Sequence, residues 1–271
     1  MKRSFQAIVV GAGPAGASAA LGMARAGLDV ALVERGNFPG EKAMYGGLLH
    51  RLHSLEEIFP DFWDRAPLER HIAKKGTTFM TAGASFHVVS ENETLYTPPY
   101  NGYTCFRPRF DSWLAGEAVK AGATLINRAM VEDVIFKGGK VAGVRILRDG
   151  GDLEAPVVVA ADGALSFTAL KAGLRRPKFN IDQVAVGVKA LIDLPKDVID
   201  DRFGLSGSQG LANEYVGCTF GIRGGGFIYT TNLAQVSIYR RLHLFHITLA
   251  IKIAHYVGTL WNFSQHFLLG L

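Results

Sequence analysis

The feature that most constrains this chain is a glycine-rich turn close to its start, Gly11-Ala-Gly-Pro-Ala-Gly16. The turn follows a short apolar run at residues 5–10 and precedes an alanine-rich segment of good helix formers. Gly11 permits a tight turn out of a strand, Gly13 leaves the backbone open to close approach, and Gly16 lets a helix pack against a sheet. The segment therefore predicts the strand, turn and helix that open an α/β domain.

A carboxylate at the end of the next strand completes the pattern. Gly27 predicts the end of the helix, residues 30–33 form the second strand, and Glu34 follows it. The helix start and Gly13 suit a pyrophosphate, and a carboxylate at position 34 can accept hydrogen bonds from both hydroxyls of a ribose. The pattern predicts a site for the ADP half of a dinucleotide. An NADP site would prefer an arginine and a neutral residue at this point.

Composition excludes several other classes of protein. The net charge of +5 over 271 residues is small and is not gathered in a basic run, which argues against a nucleic-acid partner. The two cysteines, Cys105 and Cys218, are far apart. They predict a reducing compartment without a disulfide framework, and they are too few for an iron–sulfur cluster held by this chain alone.

The order of the predicted elements indicates a nucleotide domain that is interrupted and then resumed. Helices are predicted at residues 48–58 and 109–122, and a purely apolar run at 155–161 predicts a buried strand that ends at Asp162-Gly163. Segments at 77–89, 184–191 and 227–230 predict strands of a second, antiparallel sheet. We therefore predict a first domain at 1–72 and 104–176, an incomplete second domain at 73–103 and 177–238, and an atypical tail at 239–271.

Six motifs in order resemble the FixC-type flavoproteins, relatives of electron-transfer-flavoprotein:quinone oxidoreductase and of geranylgeranyl reductases. The resemblance covers residues 5–231, and family members continue well past the end of this chain, so we expect a C-terminally truncated member. It implies a Rossmann-like domain of the glutathione-reductase type with an inserted antiparallel β-sheet domain. The motifs are Gly11–Gly16 with Glu34-Arg35, Gly40–Leu49, Phe106–Leu114 with Ala121–Ala123, Ala160–Gly163, Gly187–Lys189 with Asp201–Phe203, and Gly224–Tyr229.

The resemblance also implies FAD as the cofactor and assigns residues to its parts. A cation and glycines beside the isoalloxazine ring would stabilise a reduced, anionic flavin and let the flat ring approach the backbone. The implied contacts are Gly11, Gly13, Pro14, Ala15 and Gly16 for the pyrophosphate, Glu34 and Arg35 for the ribose, Arg107 for FAD from its helix start, Asp162 and Gly163 beside the adenine half, and Lys42, Met44, Gly46 and Gly47 along the isoalloxazine.

Plainer interpretations stay open for three of these positions. Arg107 could only pair with a carboxylate, Asp162-Gly163 could be a simple turn at a strand end, and Lys42 could be solvated. The chain also departs from the family at Ala43 and His50, where asparagine and tyrosine are usual, and at Leu165-Ser166. These departures concern the substrate side more than FAD.

The function that the resemblance implies is electron transfer. FAD would accept electrons from an electron-transfer flavoprotein and pass them to a quinone or a ferredoxin-like protein, without a catalytic side chain or a metal. We expect a cytoplasmic location, peripheral on the inner face of the membrane. The alternatives are a geranylgeranyl-reductase-like or monooxygenase-like flavoenzyme, and an inactive truncated or frameshifted fragment. The loop at 42–47 lacks the cysteine typical of geranylgeranyl reductases.

The tail has a composition of its own. Residues 239–271 contain three basic residues, no acidic ones and four of the eight histidines. Three interpretations compete: an out-of-frame or truncated end, a membrane-surface helix with a polar stripe that includes Lys252 and His255, and a metal site that uses His243 and His246.

Overall fold

The computed structural model describes residues 3–43, 46–50, 53–60, 62–91, 98, 100, 102–147, 151–179, 186–217, 224–232 and 235–242. The chain divides into two compact units. Unit 1 comprises Met1–Gly47, Leu52–Leu68 and Cys105–Lys178, and unit 2 comprises Leu48–Arg51, Glu69–Thr104 and Phe179–Leu271.

Fifteen strands and six helices lie in the described residues. The strands are β1 Ala7–Val10, β2 Val30–Val33, β3 Gly46–His50, β4 Leu68–Met80, β5 Ser85–Glu91, β6 Gly102–Phe106, β7 Thr124–Ile126, β8 Val131–Lys137, β9 Lys140–Ile146, β10 Asp152–Glu154, β11 Val157–Ala160, β12 Val186–Asp193, β13 Gln209–Gly217, β14 Gly224–Thr230 and β15 Gln235–Leu242. The helices are α1 Pro14–Arg25, α2 His53–Ile58, α3 Phe62–Arg65, α4 Arg107–Lys120, α5 Phe167–Lys171 and α6 Lys196–Phe203.

Unit 1 is built on a parallel sheet with the strand order β11-β1-β2-β7. Helices α1 and α4 pack together, and both contact strands of this sheet. The other face of the sheet presents Ile8, Val10 and Val33 to a three-stranded antiparallel sheet, β10-β9-β8, whose Val144 and Leu153 are fully buried. Because alternate residues of β1 face opposite layers, the whole strand is buried, as a central parallel strand should be.

Unit 2 is built on a larger sheet with the order β12-β15-β14-β13-β4-β6-β3, and β5 pairs with β4 outside this path. The division of the sequence into two units falls within two of these strands, after Gly47 in β3 and after Thr104 in β6. One apolar cluster joins Ile199 of α6 to Leu211, and another joins Ile72, Ala212 and Tyr229. Strand β5 is exposed along its whole length.

Most predicted elements are confirmed, and two predictions are wrong in part. Helix α1 ends before Gly27, which has φ +80, and the strand predicted at residues 30–33 is β2. The helix predicted at residues 48–58 begins only at His53, because residues 46–50 form β3. The strand predicted at 155–161 exists as β11, but Val157 is 50% exposed.

The position of β11 explains its exposure. It stands at the end of the parallel sheet and, among the described strands of that sheet, pairs only with β1. The tail predicted at 239–271 begins inside β15, while residues 243–271 lie outside the described part of the chain, and with them all three interpretations of the tail.

Candidate functional site

The turn between β1 and α1 is held by contacts of the protein with itself at two of its three glycines. Gly11 has φ +96, and a Cβ added there would lie 2.5 Å from the carbonyl oxygen of Ala161. A Cβ on Gly16 would lie 1.8 Å from the carbonyl oxygen of Gly11. Both positions therefore require glycine for folding, because any side chain would strain the backbone or displace it.

The third glycine, Gly13, has no such reason within the described chain. Its φ of −73 and ψ of −177 suit any residue, and nothing lies within 4 Å of an added Cβ. Gly13 is the N-cap of α1, no side chain caps the helix start, and no acidic residue lies in the first turn. Open space beside uncapped helical N–H groups is what an anionic group needs in order to approach the backbone.

Glu34 is fixed at the carboxyl end of β2 by backbone groups. Its carboxylate is buried, with Oε2 accepting a hydrogen bond from the N–H of Ala12 (3.0 Å) and Oε1 accepting one from the N–H of Gly36 (2.7 Å). Each carboxylate oxygen has a further lone pair, so the side chain can still accept hydrogen bonds from hydroxyl groups. The neighbouring Arg35 is exposed.

The start of α4 carries an ion pair. Arg107 donates from Nε to Oδ1 of Asp111 (2.7 Å) and from a terminal nitrogen to Oδ2 (2.8 Å), which gives a bidentate pair one helical turn apart. Asp111 is only 1% exposed, whereas the side chain of Arg107 is 34% exposed. The stem of Arg107 lies along Gly47, where an added Cβ would be 3.3 Å from its Cδ.

Both members of the pair have raised pKa values, but for different reasons. The hydrogen bond to Asp111 raises the pKa of Arg107, which keeps the guanidinium charged. Burial raises the pKa of Asp111, a rise that Arg107 opposes and the nearby Glu34 charge reinforces. The ionised form of Asp111 therefore depends on Arg107, which is the nearest compensating charge that the structure gives it.

Asp162 helps to cap the short helix α5, whose N-cap residue is Ser166. Its carboxylate accepts hydrogen bonds from the hydroxyl of Ser166 (2.6 Å) and from the N–H of Thr168 (2.9 Å). Burial works against the charge of Asp162, but these hydrogen bonds outweigh it and hold the pKa of the carboxyl below its ordinary value. Gly163 follows with φ +90.

The loop expected along the isoalloxazine is only partly described. Lys42 is exposed and pairs with Glu41 at 3.4 Å, so the solvated interpretation of this lysine stays open. Gly46 and Gly47 begin β3, with Gly46 buried. Met44 lies outside the described residues. The roles expected for these residues remain predictions.

Within unit 1, the structure brings predicted site residues together in three places. Gly11 lies beside Ala161 and Asp162, and the N–H of Ala12 donates to Glu34. Gly47 lies beside the side chain of Arg107. Sequence reasoning missed Asp111, although its place four residues after Arg107 on a predicted helix was the signal that could have revealed the pair.

Unit 2 contains a buried arginine that sequence reasoning also missed. Arg70 is fully buried and donates hydrogen bonds to Asp200 (2.6 Å) and to the carbonyl oxygens of Gln209 (2.8 Å) and Thr231 (3.0 Å). No local pattern marks it, because its partners come from distant parts of the sequence. These contacts tie β4 to α6, to the start of β13 and to the end of β14.

The residues that the structure describes contain neither a candidate metal site nor a helix that could span a membrane. No group of three or more His, Cys, Asp or Glu side chains in this part of the chain could hold a metal ion. Among the helices that the structure describes, none is long and apolar enough to cross a membrane.

The chain is similar to a family of flavin enzymes. The model of the family described as FAD dependent oxidoreductase matches residues 6–170. Protein FixC of Salmonella typhi is 43% identical over 97% of this chain and 60% of its own length. A probable electron transfer flavoprotein-quinone oxidoreductase of Escherichia coli K12, YdiS, is 42% identical over 83% of this chain and 52% of its own length. The resemblance to FixC-type flavoproteins is confirmed, and the chain spans 52–60% of these two relatives.

A solved structure supports the fold. The geranylgeranyl bacteriochlorophyll reductase-like protein of Thermoplasma acidophilum superposes with a TM-score of 0.73 at 22% identity, over 96% of this chain and 62% of that one. At this identity the likeness concerns the fold alone. The predicted α/β fold class is confirmed.

Proposed function

The chain belongs to the family of FAD dependent oxidoreductases, and from this premise we propose that unit 1 is its FAD-binding domain. The single observation that supports this most strongly is Gly13, whose missing side chain answers no need of the protein's own backbone or packing. A diphosphate at the uncapped start of α1 would explain that glycine. Unit 2 would then correspond to the second domain.

Different residues of unit 1 would bind different parts of the cofactor. The turn with Gly13, Pro14, Ala15 and the start of α1 would donate backbone N–H groups to the diphosphate, and Glu34 would accept hydrogen bonds from the ribose. The remaining contacts proposed from the family motifs are Arg35 at the ribose, Arg107 at FAD, Asp162 and Gly163 at the adenine half, and Lys42, Met44, Gly46 and Gly47 at the isoalloxazine.

The reaction proposed for the whole protein is electron transfer between protein partners and a quinone. When bound, FAD supplies the redox chemistry by accepting and releasing electrons. The chain's own residues would bind and orient the cofactor, and we assign none of them an acid, base or nucleophile role. The donor would be an electron-transfer flavoprotein and the acceptor a quinone, in keeping with the name of YdiS. A ferredoxin-like protein is the other acceptor that we propose, from the family resemblance.

A flavin spectrum tests the first part of the proposal. Purified protein mixed with FAD and freed of excess cofactor should keep an absorption band near 450 nm, roughly the usual flavin maximum. A colourless protein with native secondary structure by circular dichroism would contradict FAD binding and favour the inactive-fragment alternative.

Stopped-flow mixing tests the second part. Chemically reduced protein should be reoxidised faster by a soluble quinone analogue than by dissolved oxygen, and it should be reduced by an electron-transfer flavoprotein. Rapid reduction by NADPH followed by rapid reoxidation by oxygen would instead identify a monooxygenase-like enzyme. Reduction of a prenyl double bond would identify a geranylgeranyl-reductase-like enzyme.

The location is proposed from the family resemblance alone. A cytoplasmic protein held peripherally at the inner face of the membrane should be found in the membrane fraction at low salt. It should be released by high salt without detergent. Release only by detergent would contradict a peripheral position.

A further inference from the structure

The ion pair at the start of α4 is not explained by the stability of the helix. Arg107 is the first residue of α4, where the helix dipole is positive and a cation is disfavoured. Asp111 follows it at i+4, which is the less favourable order for such a pair, and no acidic residue lies in the first turn. A helix that needed only stability would place these charges the other way round.

Burial makes the pair costly as well. A carboxylate that is 1% exposed loses nearly all its hydration, and such pairs often contribute no net stability compared with apolar residues. The raised pKa of Asp111 expresses the same cost, because its charged form is disfavoured despite Arg107. The arrangement therefore favours a role for the cation that outweighs the helix's own preference.

A distant loop produces the burial of Asp111. Gly40 has φ +89, and a Cβ on it would lie 3.0 Å from the Cβ of Asp111 and 2.8 Å from the Cα of Pro108. The hydroxyl of Ser112 donates a hydrogen bond to the carbonyl oxygen of Pro39 at 2.8 Å. The loop thus closes over the first turn of α4 and fixes the carboxylate that grips Arg107.

The grip leaves part of the guanidinium available. An arginine has five N–H donors, and Asp111 accepts from two of them. Among the described residues Arg107 makes no other hydrogen bond, and its side chain is 34% exposed. One edge of the guanidinium is therefore fixed by protein while the rest can meet an outside anion.

We propose that Asp111 is a positioning residue that acts through Arg107 and holds its guanidinium ready for the anionic part of a bound dinucleotide. The inference rests on the proposed function, since it assumes that FAD binds to unit 1. Asp111 itself would not touch the cofactor. Its contribution would be to remove the freedom of a long side chain before binding, so that less entropy is lost when the anion arrives.

The test is a double-mutant cycle on FAD affinity. Asp111→Asn should weaken FAD binding about tenfold and Arg107→Gln about thirtyfold, since each removes a charge-assisted interaction or its preorganisation. The double variant should bind FAD no more weakly than Arg107→Gln alone, because Asp111 acts only through Arg107. Affinity is measured by titration of flavin fluorescence, and the melting temperature of each apoprotein is measured in parallel.

Glu117 offers a matched control on the same helix. It is also buried and paired, with Arg65 at 2.7 Å and with Lys120 at 2.6 Å. Glu117→Gln should lower the melting temperature of the apoprotein and change FAD affinity less than about twofold, because it disturbs α4 without touching Arg107.

Two outcomes overturn the inference. In the first, Asp111→Asn binds FAD as tightly as the wild type does. In the second, Asp111→Asn weakens FAD binding by the same factor whether residue 107 is arginine or glutamine. Should Asp111→Asn fail to fold, the half-exposed Arg107→Gln decides the test, because wild-type FAD affinity in that variant leaves Asp111 nothing to act through and also overturns the inference. Failure of the wild-type chain to bind FAD contradicts the proposed function instead.

Discussion

The two long helices of unit 1 have similar N-termini, but different groups surround them. Both α1 and α4 have proline in their first two positions, an N-cap without a side-chain hydrogen bond, and no acidic residue in the first turn. At α1 the shape comes from glycines and backbone N–H groups. At α4 it comes from an arginine that a buried aspartate holds. The anion site proposed at α1 is encoded within six consecutive residues, whereas the one proposed at α4 also depends on the loop at Gly40, about seventy residues earlier.

The largest effect is expected at Gly16, in the first turn of α1. Gly16→Ala should destabilise the apoprotein by about 3 to 4 kcal/mol, because its Cβ would lie 1.8 Å from the carbonyl oxygen of Gly11 and the turn would have to move. Chemical denaturation measures the free energy of unfolding. The control is Gly22→Ala in the same helix, where an added Cβ meets nothing within 4 Å. Equal stability of the two variants would refute the packing role of Gly16.

Gly13 separates folding from binding. Gly13→Ala should lower the free energy of unfolding by at most about 1 kcal/mol, the usual cost of alanine at an N-cap. It should weaken FAD binding about thirtyfold, or ~2 kcal/mol, because the methyl group would occupy the open space proposed for the diphosphate. Isothermal titration with FAD and denaturation of the apoprotein give the two values. Wild-type affinity in Gly13→Ala would remove the main support for the site.

A third helix start, that of α5, sharpens the comparison because the protein caps it with its own side chains. Asp162→Asn should destabilise the chain by about 1 kcal/mol through loss of charge-assisted hydrogen bonds. Since the folded state lowers the pKa of Asp162, the wild type should be more stable than Asp162→Asn by the full amount above the ordinary aspartate pKa of about 3.9. This difference in stability should disappear as the pH falls through the lowered pKa of the folded state.

Melting curves of wild type and Asp162→Asn between neutral and acid pH check this dependence. Asp201→Asn, at an exposed aspartate whose side chain makes no hydrogen bond in the described structure, serves as the control and should show no such advantage. A difference between wild type and Asp162→Asn that grows towards acid pH would have the wrong sign for a stabilised carboxylate.

The smallest effect is expected at Lys42, on the loop expected to lie along the isoalloxazine. Lys42→Gln should change the free energy of unfolding by less than about 0.5 kcal/mol, because the pair with Glu41 is exposed. If the lysine faces the isoalloxazine, the reduction potential of bound flavin should fall, since a cation stabilises the reduced anion. An unchanged potential would leave Lys42 as a solvated side chain.

The sequence allowed the first helix start to be predicted closely and the second only in outline. Gly11, Gly27 and the strand at 30–33 are local signals, because each residue fixes its own conformation or that of its neighbour. Arg107 was named without Asp111; the spacing of four residues could have revealed the pair, but not the burial of Asp111, which comes from Gly40, about seventy residues earlier. Long-range packing of this kind leaves no periodic pattern.

The partly wrong predictions have the same origin. Residues 46–50 carry leucines that suit a helix, but pairing within the large sheet of unit 2 overrides that preference. The apolar run at 157–160 suggested burial, and only the strand order shows that it ends the sheet. Arg70 could not be predicted at all, since its partners Asp200 and Gln209 lie more than a hundred residues away.

The pairing of β1 with β11 has a consequence for synthesis on the ribosome. Ala7 aligns with Val157, so the first strand emerges about 150 residues before one of its two neighbours exists. At roughly 5 to 20 residues per second, the nascent strand waits for about 8 to 30 seconds with one edge open. Such delayed closure is a window in which an apolar segment can be captured by chaperones or lost to aggregates. Slow translation of residues 34–157 should therefore lower the yield of native protein.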